Sequence, residues 1–139
     1  MNWKLILQLS MFGLAMGLAT VFFIPSNIEP VFWVAIFLFC AYVLAKRATE
    51  QPFMHGLFLG VVNGLWITAA HVALFSRYMS AHVREANMMN SLPVPPVLVT
   101  AVAGIASGVV SGIVIGVLAL VAGKLVKRGG EAGEVQQGT

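Results

Sequence analysis

The polar side chains that could take part in chemistry are few, and four of them lie inside long apolar segments. Asn63 and His71 lie in one segment, and Ser107 and Ser111 lie in another. Asn63, Ser107 and Ser111 each follow a glycine by three residues, so on helices they would flank a stripe of glycines. We expect these four residues either to line a polar path or small-ligand site, or to join two helices through hydrogen bonds. Asn63 should point into the protein and contact the fourth segment, because an unpaired amide in lipid is costly. Its expected partner is the hydroxyl of Ser107 or Ser111, or a backbone carbonyl that the neighbouring glycines expose.

The other ionisable residues argue against catalysis and against a bound metal. The sequence has no aspartate, and all its glutamates lie outside the apolar segments: Glu29, Glu50, Glu85, Glu131 and Glu134. A carrier coupled to protons or cations usually needs an ionisable group within the membrane, and paired-carboxylate hydrolysis needs two acids. His55 and His71 would stand roughly 24 Å apart along one helix, too far to share a metal or haem. Cys40 is the only cysteine. We therefore predict no disulfide, no metal site, no cofactor and no catalytic residue.

Glycines in GxxxG frames are the most prominent feature of the apolar segments. Two glycines four residues apart let neighbouring helices approach closely in lipid. We therefore predict that these glycines are helix-packing residues. They are Gly13, Gly17, Gly56, Gly60, Gly64, Gly104, Gly108, Gly112 and Gly116.

Composition and segment length indicate an integral membrane protein. Of the 139 residues, 59% are hydrophobic and only 9% are charged, against about 25% charged in a typical soluble domain. Four apolar segments approach the length that spans a bilayer, about 20 residues. They cover residues 5–24, 30–45, 53–75 and 97–122, and the second is short for a full span. We predict an all-α bundle of four transmembrane helices over residues 1–128, followed by a disordered cytoplasmic tail over residues 129–139.

Basic residues are distributed unevenly between the two sets of loops. Arg77 and Arg84 lie in one set, and the other set holds Lys4, Lys46, Arg47, Lys124, Lys127 and Arg128. The positive-inside rule then predicts that both termini are cytoplasmic. Four compact spans with cytoplasmic termini are similar to those of many small bacterial membrane proteins, so we expect a bacterial inner membrane. The first segment also resembles a signal peptide, but its apolar run continues past the small residues near Gly17, which favours a retained span.

The connection between the third and fourth segments is the longest. Residues 76–90 could form one amphipathic helix at the membrane surface, with Tyr78, His82, Ala86 and Met89 along one stripe. If the preceding helix continues, Tyr78 also lies on the same face as His71, seven residues earlier.

These observations favour a small non-enzymatic membrane protein that self-associates or joins a larger complex. The expected partners are the lipid bilayer and a second copy or another membrane protein, and no nucleic acid. One alternative is a small channel or facilitator with a polar path along Asn63, Ser107 and Ser111. The second is a lipid-handling enzyme at the outer leaflet, which would use His71, Arg77, His82 and Arg84.

Overall fold

A computed structural model describes residues 1–48 and 50–137, with side chains up to residue 126. This part of the chain contains six α-helices and no strand. The helices are α1 (Trp3–Phe22), α2 (Glu29–Arg47), α3 (Pro52–Ala73), α4 (Phe75–Ala81), α5 (Val83–Asn90) and α6 (Pro96–Gln137). The all-helical fold predicted from the sequence is therefore correct for the described residues.

The ends of the long helices have local causes in the sequence. The Asn2 side chain caps α1 by accepting a hydrogen bond from the Leu5 amide, at 3.0 Å. Proline occupies the first turn of α2, α3 and α6, where its missing N–H and fixed φ are tolerated. The four long helices consequently begin within two residues of the predicted positions.

Four helices are long and apolar enough to cross a membrane: α1, α2, α3 and the Pro96–Val126 part of α6. The second is longer than its apolar segment suggested, because α2 includes Glu29 at its start and Lys46 and Arg47 at its end and so reaches 19 residues. Its length therefore removes the difficulty that the short apolar run raised.

A disordered tail was predicted for the segment over residues 129–139. Helix α6 is assigned as far as Gln137 and so enters this segment, but its side chains there are not described. The last two residues of the predicted tail lie outside the described residues. The order of the tail stays a prediction.

The connection between α3 and α6 forms two short helices where the sequence predicted one. Helix α4 ends at Ala81 and α5 begins at Val83, because His82 leaves the helical region with φ −121° and ψ 63°. The His82 ring bonds back to the preceding turn, where its Nδ1–H donates to the Tyr78 carbonyl at 3.1 Å. The prediction of a single amphipathic helix over residues 76–90 is therefore wrong at its centre.

Helix α3 lies between α1 and α6. Helices α1 and α3 are parallel, because the start of one contacts the start of the other and their ends also meet. At the start, the Asn2 amide donates to His55 Nε2 at 2.8 Å, and at the far end Thr20 Oγ1 lies 2.9 Å from His71 Nε2. Because Nε2 of His55 accepts, its Nδ1 carries the hydrogen and donates to the Gln51 carbonyl. Helix α6 runs antiparallel to α3, and α2 packs mainly against α6.

All four long helices meet in one half of the bundle, away from α4 and α5. Here the side chains of Ile6, Leu44, Leu59 and Ile115 are fully buried, with Cys40 and Ala119 beside them. We call this half the packed end and the other half the α4–α5 end. The core is thus concentrated at the packed end.

Candidate functional site

The glycines of α3 and α6 face each other in a regular antiparallel register. A Cβ atom built at Gly64 would stand 2.6 Å from Gly108 Cα, and one built at Gly60 or Gly56 would meet the backbone of Gly112 or Gly116. These distances leave no room for a side chain. One turn before Gly108 on α6, a Cβ built at Gly104 would meet the hydroxyl of Thr68 on α3.

The glycines of α1 face α3 instead of α6. A Cβ at Gly13 would stand 2.7 Å from Asn63 Cα, and one at Gly17 would stand 3.1 Å from Ile67 Cα. All nine glycines singled out in the sequence therefore lie against another helix of the same chain. Gly123, outside these frames, has no neighbour within 4 Å.

A cavity of about 540 Å³ lies between α2, α3 and α6, in the half of the bundle nearer α4 and α5. We call it the α2–α3–α6 cavity. It brings together all four polar residues that the sequence proposed for a path or ligand site: Asn63, His71, Ser107 and Ser111. Its volume lies within the range of small-molecule sites, about 300–1,000 Å³.

The cavity exists because the facing surfaces of α3 and α6 carry small residues while α2 stands across from them. Gly60, Gly64, Gly104, Gly108 and Ala103 contribute almost no side-chain volume to its wall. The inward-facing residues of α2 have different surroundings in its two halves. Those of the first half line the cavity (Trp33, Val34 and Phe37), and those of the second half fill the core (Cys40, Ala41 and Leu44). The same helix therefore closes one half of the bundle and leaves the other half hollow.

Asn63 points into the bundle as predicted, with an exposed fraction of 2%. However, neither its Oδ1 nor its Nδ2 has a hydrogen-bond partner among the described residues. The expected bond to Ser107 or Ser111 is not formed, so that prediction is wrong. The reason is the rotation of α3, which sets the Asn63 side chain beside Gly13 of α1 at one edge of the cavity.

His71 is held on two sides. Thr20 uses its hydroxyl hydrogen on the Met16 and Gly17 carbonyls, so the His71 Nε2–H donates to Thr20 Oγ1 at 2.9 Å. The His71 ring stacks on Tyr78, with centroids 4.1 Å apart and planes 17° apart. The contact with Tyr78 that the seven-residue spacing suggested is therefore present, as stacking.

Tyr78 also stacks on His82, with centroids 4.5 Å apart, which makes a column of three rings over the end of the cavity. Burial and the nearby carboxylates of Glu29 and Glu85 raise the pKa of the Tyr78 phenol, so the phenol stays protonated near neutral pH. Ser26, in the turn before α2, lines the same small pocket as Glu85 of α5, and its hydroxyl lowers the pKa of the Glu85 carboxyl by hydrogen bonding.

The sequence analysis missed Glu29 and Trp33 as site residues. Both line the cavity, and Trp33 Nε1 donates to Glu29 Oε1 at 3.0 Å. The signal was available as a Glu–Trp pair four residues apart, with Glu29 in the first turn of α2 and Trp33 one turn later, which places both side chains on one face. Glu29 is the only side chain with a permanent charge among the described residues that line the cavity.

The four residues proposed for an outer-leaflet enzyme do not form one site. Tyr78 separates His71 from His82, Arg77 stands 5.8 Å over the Phe22 ring, and Arg84 lines a different pocket with His82. Within the described part of the chain, no group of three His, Cys, Asp or Glu residues could hold a metal ion.

Comparison of the chain with protein-family models, curated proteins and solved structures finds no match. The residues of the chain and the cavity they form are therefore the basis for inferring its function.

Proposed function

We propose that this chain is a small multi-pass integral membrane protein that binds an amphiphilic small molecule in the α2–α3–α6 cavity and catalyses no reaction. The Asn63 amide carries this proposal. It is almost completely buried, lines a cavity of ligand size and lacks a protein partner within the described residues. The amide would gain the missing hydrogen bonds if its side chain turned toward a bound molecule, because both of its polar atoms are otherwise covered by the protein.

The proposed orientation places both termini in the cytoplasm of a bacterial cell and the protein in its inner membrane. The basic residues support this orientation, because Lys4, Lys46 and Arg47 belong to the packed end and only Arg77 and Arg84 to the α4–α5 end. The cavity then lies in the outer half of the membrane, with Glu29 and Tyr78 near its outer surface.

A binding protein fits the geometry better than a channel. A conducting path would have to continue from Ser111 through the packed end, where Leu44, Leu59 and Ile115 are fully buried. These side chains support a cavity that is closed toward the cytoplasm.

Self-association, the function expected first from the sequence, stays a prediction. The glycine frames now favour it less strongly, because all nine of their glycines are covered by helices of the same chain. A second copy would have to bind through the larger apolar side chains on the outside of the bundle.

Fluorescence quenching of Trp33 by bromobenzene tests the proposed binding. Trp33 lines the cavity, so replacing Trp3 and Trp66 with phenylalanine leaves it as the single reporter. We expect quenching that saturates in the purified full chain in nanodiscs. Ala103→Phe should weaken the saturable part, because Ala103 lines the cavity and a benzyl group there would occupy part of it.

The matched control is Ala106→Phe, three residues away on the same helix. Ala106 is exposed and is not a lining residue, so saturable quenching should persist. Quenching that rises linearly with bromobenzene and is equal in both variants would mean partition into lipid and would contradict the binding proposal.

A further inference from the structure

The charge inside the α2–α3–α6 cavity is negative and has no counter-ion from the cavity wall. No lysine or arginine is found among the described lining residues, so Glu29 faces only His71 and Tyr78 as other titratable groups. The two closest arginines of the α4–α5 end are engaged elsewhere, with Arg77 over the Phe22 ring and Arg84 in the neighbouring pocket. A half-buried carboxylate at the mouth of an apolar cavity attracts a positive group more strongly than a fully hydrated one, because less water screens it.

Aromatic rings surround the same end of the cavity. Trp33 and Phe37 lie one turn apart on α2 with ring centroids 5.6 Å apart, and Tyr78 lines the cavity from α4. Aromatic faces attract organic cations, most strongly where the cation is partly desolvated. The Trp33 indole also holds one oxygen of the Glu29 carboxylate, which fixes that group in position.

The deeper part of the cavity has a different character. Its wall is made of glycine, alanine and apolar side chains, with the free Asn63 amide and the Ser107 and Ser111 hydroxyls as the polar groups. An apolar body carrying one hydrogen-bonding group would fit this part.

We propose that the ligand of the cavity is an amphiphilic organic cation whose ammonium group lies between Glu29 and the rings of Trp33 and Tyr78. Its apolar body extends along the glycine wall toward Asn63. This inference rests on the proposed binding function and specifies its ligand class. An ammonium group of this kind occurs on free organic amines and on lipid headgroups.

A matched pair of brominated probes tests the charge preference. One probe is bromobenzyltrimethylammonium, and the other is its neutral brominated analogue, in which a carbon atom replaces the nitrogen. Both are titrated against the Trp33-only protein in phosphatidylglycerol nanodiscs. We expect the cation to bind at least about tenfold more tightly than the neutral analogue. Glu29→Gln should remove that difference and leave the affinity for the neutral analogue unchanged.

Glu85→Gln is the matched control, since it removes a carboxylate at the same end of the bundle that lines the other pocket. The preference for the cation should survive this change within about twofold. Equal affinity for both probes, or a preference that Glu29→Gln leaves intact, would overturn the cation proposal while the binding proposal stands. Binding of neither probe would overturn both.

Repeating the titration with phosphatidylethanolamine in the nanodiscs distinguishes the two sources of the ammonium group. The change of lipid also removes negative surface charge, which weakens cation binding equally in the Trp33-only protein and in its Glu29→Gln variant. A loss of apparent affinity for the cationic probe that exceeds the loss in Glu29→Gln would show that the lipid headgroup competes for the Glu29 site. An equal loss in both proteins would support a free organic cation as the ligand.

Discussion

The buried side chain of Asn63 lowers the stability of the fold, because its amide has no hydrogen-bond partner among the described residues. A buried amide without a partner costs about 1–3 kcal/mol relative to one that is hydrogen-bonded. Thr20 and His71, which are also buried between α1 and α3, satisfy each other, whereas both polar atoms of Asn63 stay free within the described residues. An amide kept at such a position is consistent with a role in binding, because natural proteins tolerate local instability mainly at functional sites.

We predict that Asn63→Leu stabilises the ligand-free protein. Leucine has the same branching and the same number of side-chain heavy atoms as asparagine and removes the unpartnered amide, so the free energy of unfolding should rise by about 1–3 kcal/mol. Unfolding in mixed detergent and denaturant, followed by circular dichroism, measures the change. Asn87→Leu, at an exposed position of α5, should change stability by less than about 0.5 kcal/mol. A clear loss of stability in Asn63→Leu would mean that the amide has a protein partner after all.

The contact between α3 and α6 is the element-scale feature on which the cavity depends. Its antiparallel register sets Gly60 against Gly112 and Gly64 against Gly108 and lets the two backbones touch. The close approach has two effects. It buries backbone against backbone at the helix crossing, and it leaves a wall of small residues toward α2, where the cavity forms.

We predict that Gly108→Ala destabilises the protein by about 1–3 kcal/mol, because the added Cβ would stand 2.8 Å from Gly64 Cα and the backbone cannot yield locally. Gly123→Ala is the matched control. It lies on the same helix with no neighbour within 4 Å, so both variants gain the same helix propensity and only one gains a clash. Detergent unfolding measures both. Equal stability of the two variants would contradict the close α3–α6 contact.

At the scale of the whole molecule, the bundle is packed at one end and hollow at the other. The packed end contains the large buried side chains, and the hollow end is covered by α4, α5 and the turn before α2. In the proposed orientation, this asymmetry gives the protein a binding site that faces the outside and a seal that faces the cytoplasm.

We predict that the α4–α5 end faces the outside of the cell. In a Cys40→Ala background, a single cysteine is introduced at the exposed residue Ser91 or at the exposed residue Glu50. A membrane-impermeant maleimide should label Ser91→Cys in intact cells, and Glu50→Cys only after the cells are opened. The opposite pattern would reverse the topology and place the cavity in the cytoplasmic half of the membrane.

The amino-acid sequence is enough to predict the helices of this protein and the candidate residues of its site. Apolar runs of membrane-spanning length and prolines at their starts fixed the four long helices, because helix formation depends on residues within a few positions of each other. Polar residues are scarce in those runs, so Asn63, His71, Ser107 and Ser111 could be singled out, and all four line the cavity.

The tertiary structure decided how these residues meet. It placed the Asn63 amide beside Gly13 instead of Ser107, broke the predicted surface helix at His82, and added Glu29 and Trp33 to the site. The physical reason is that periodicity defines the apolar face of a helix but not its rotation or register against a neighbour. Those depend on the side chains of both helices together, and here on glycines that allow several close approaches.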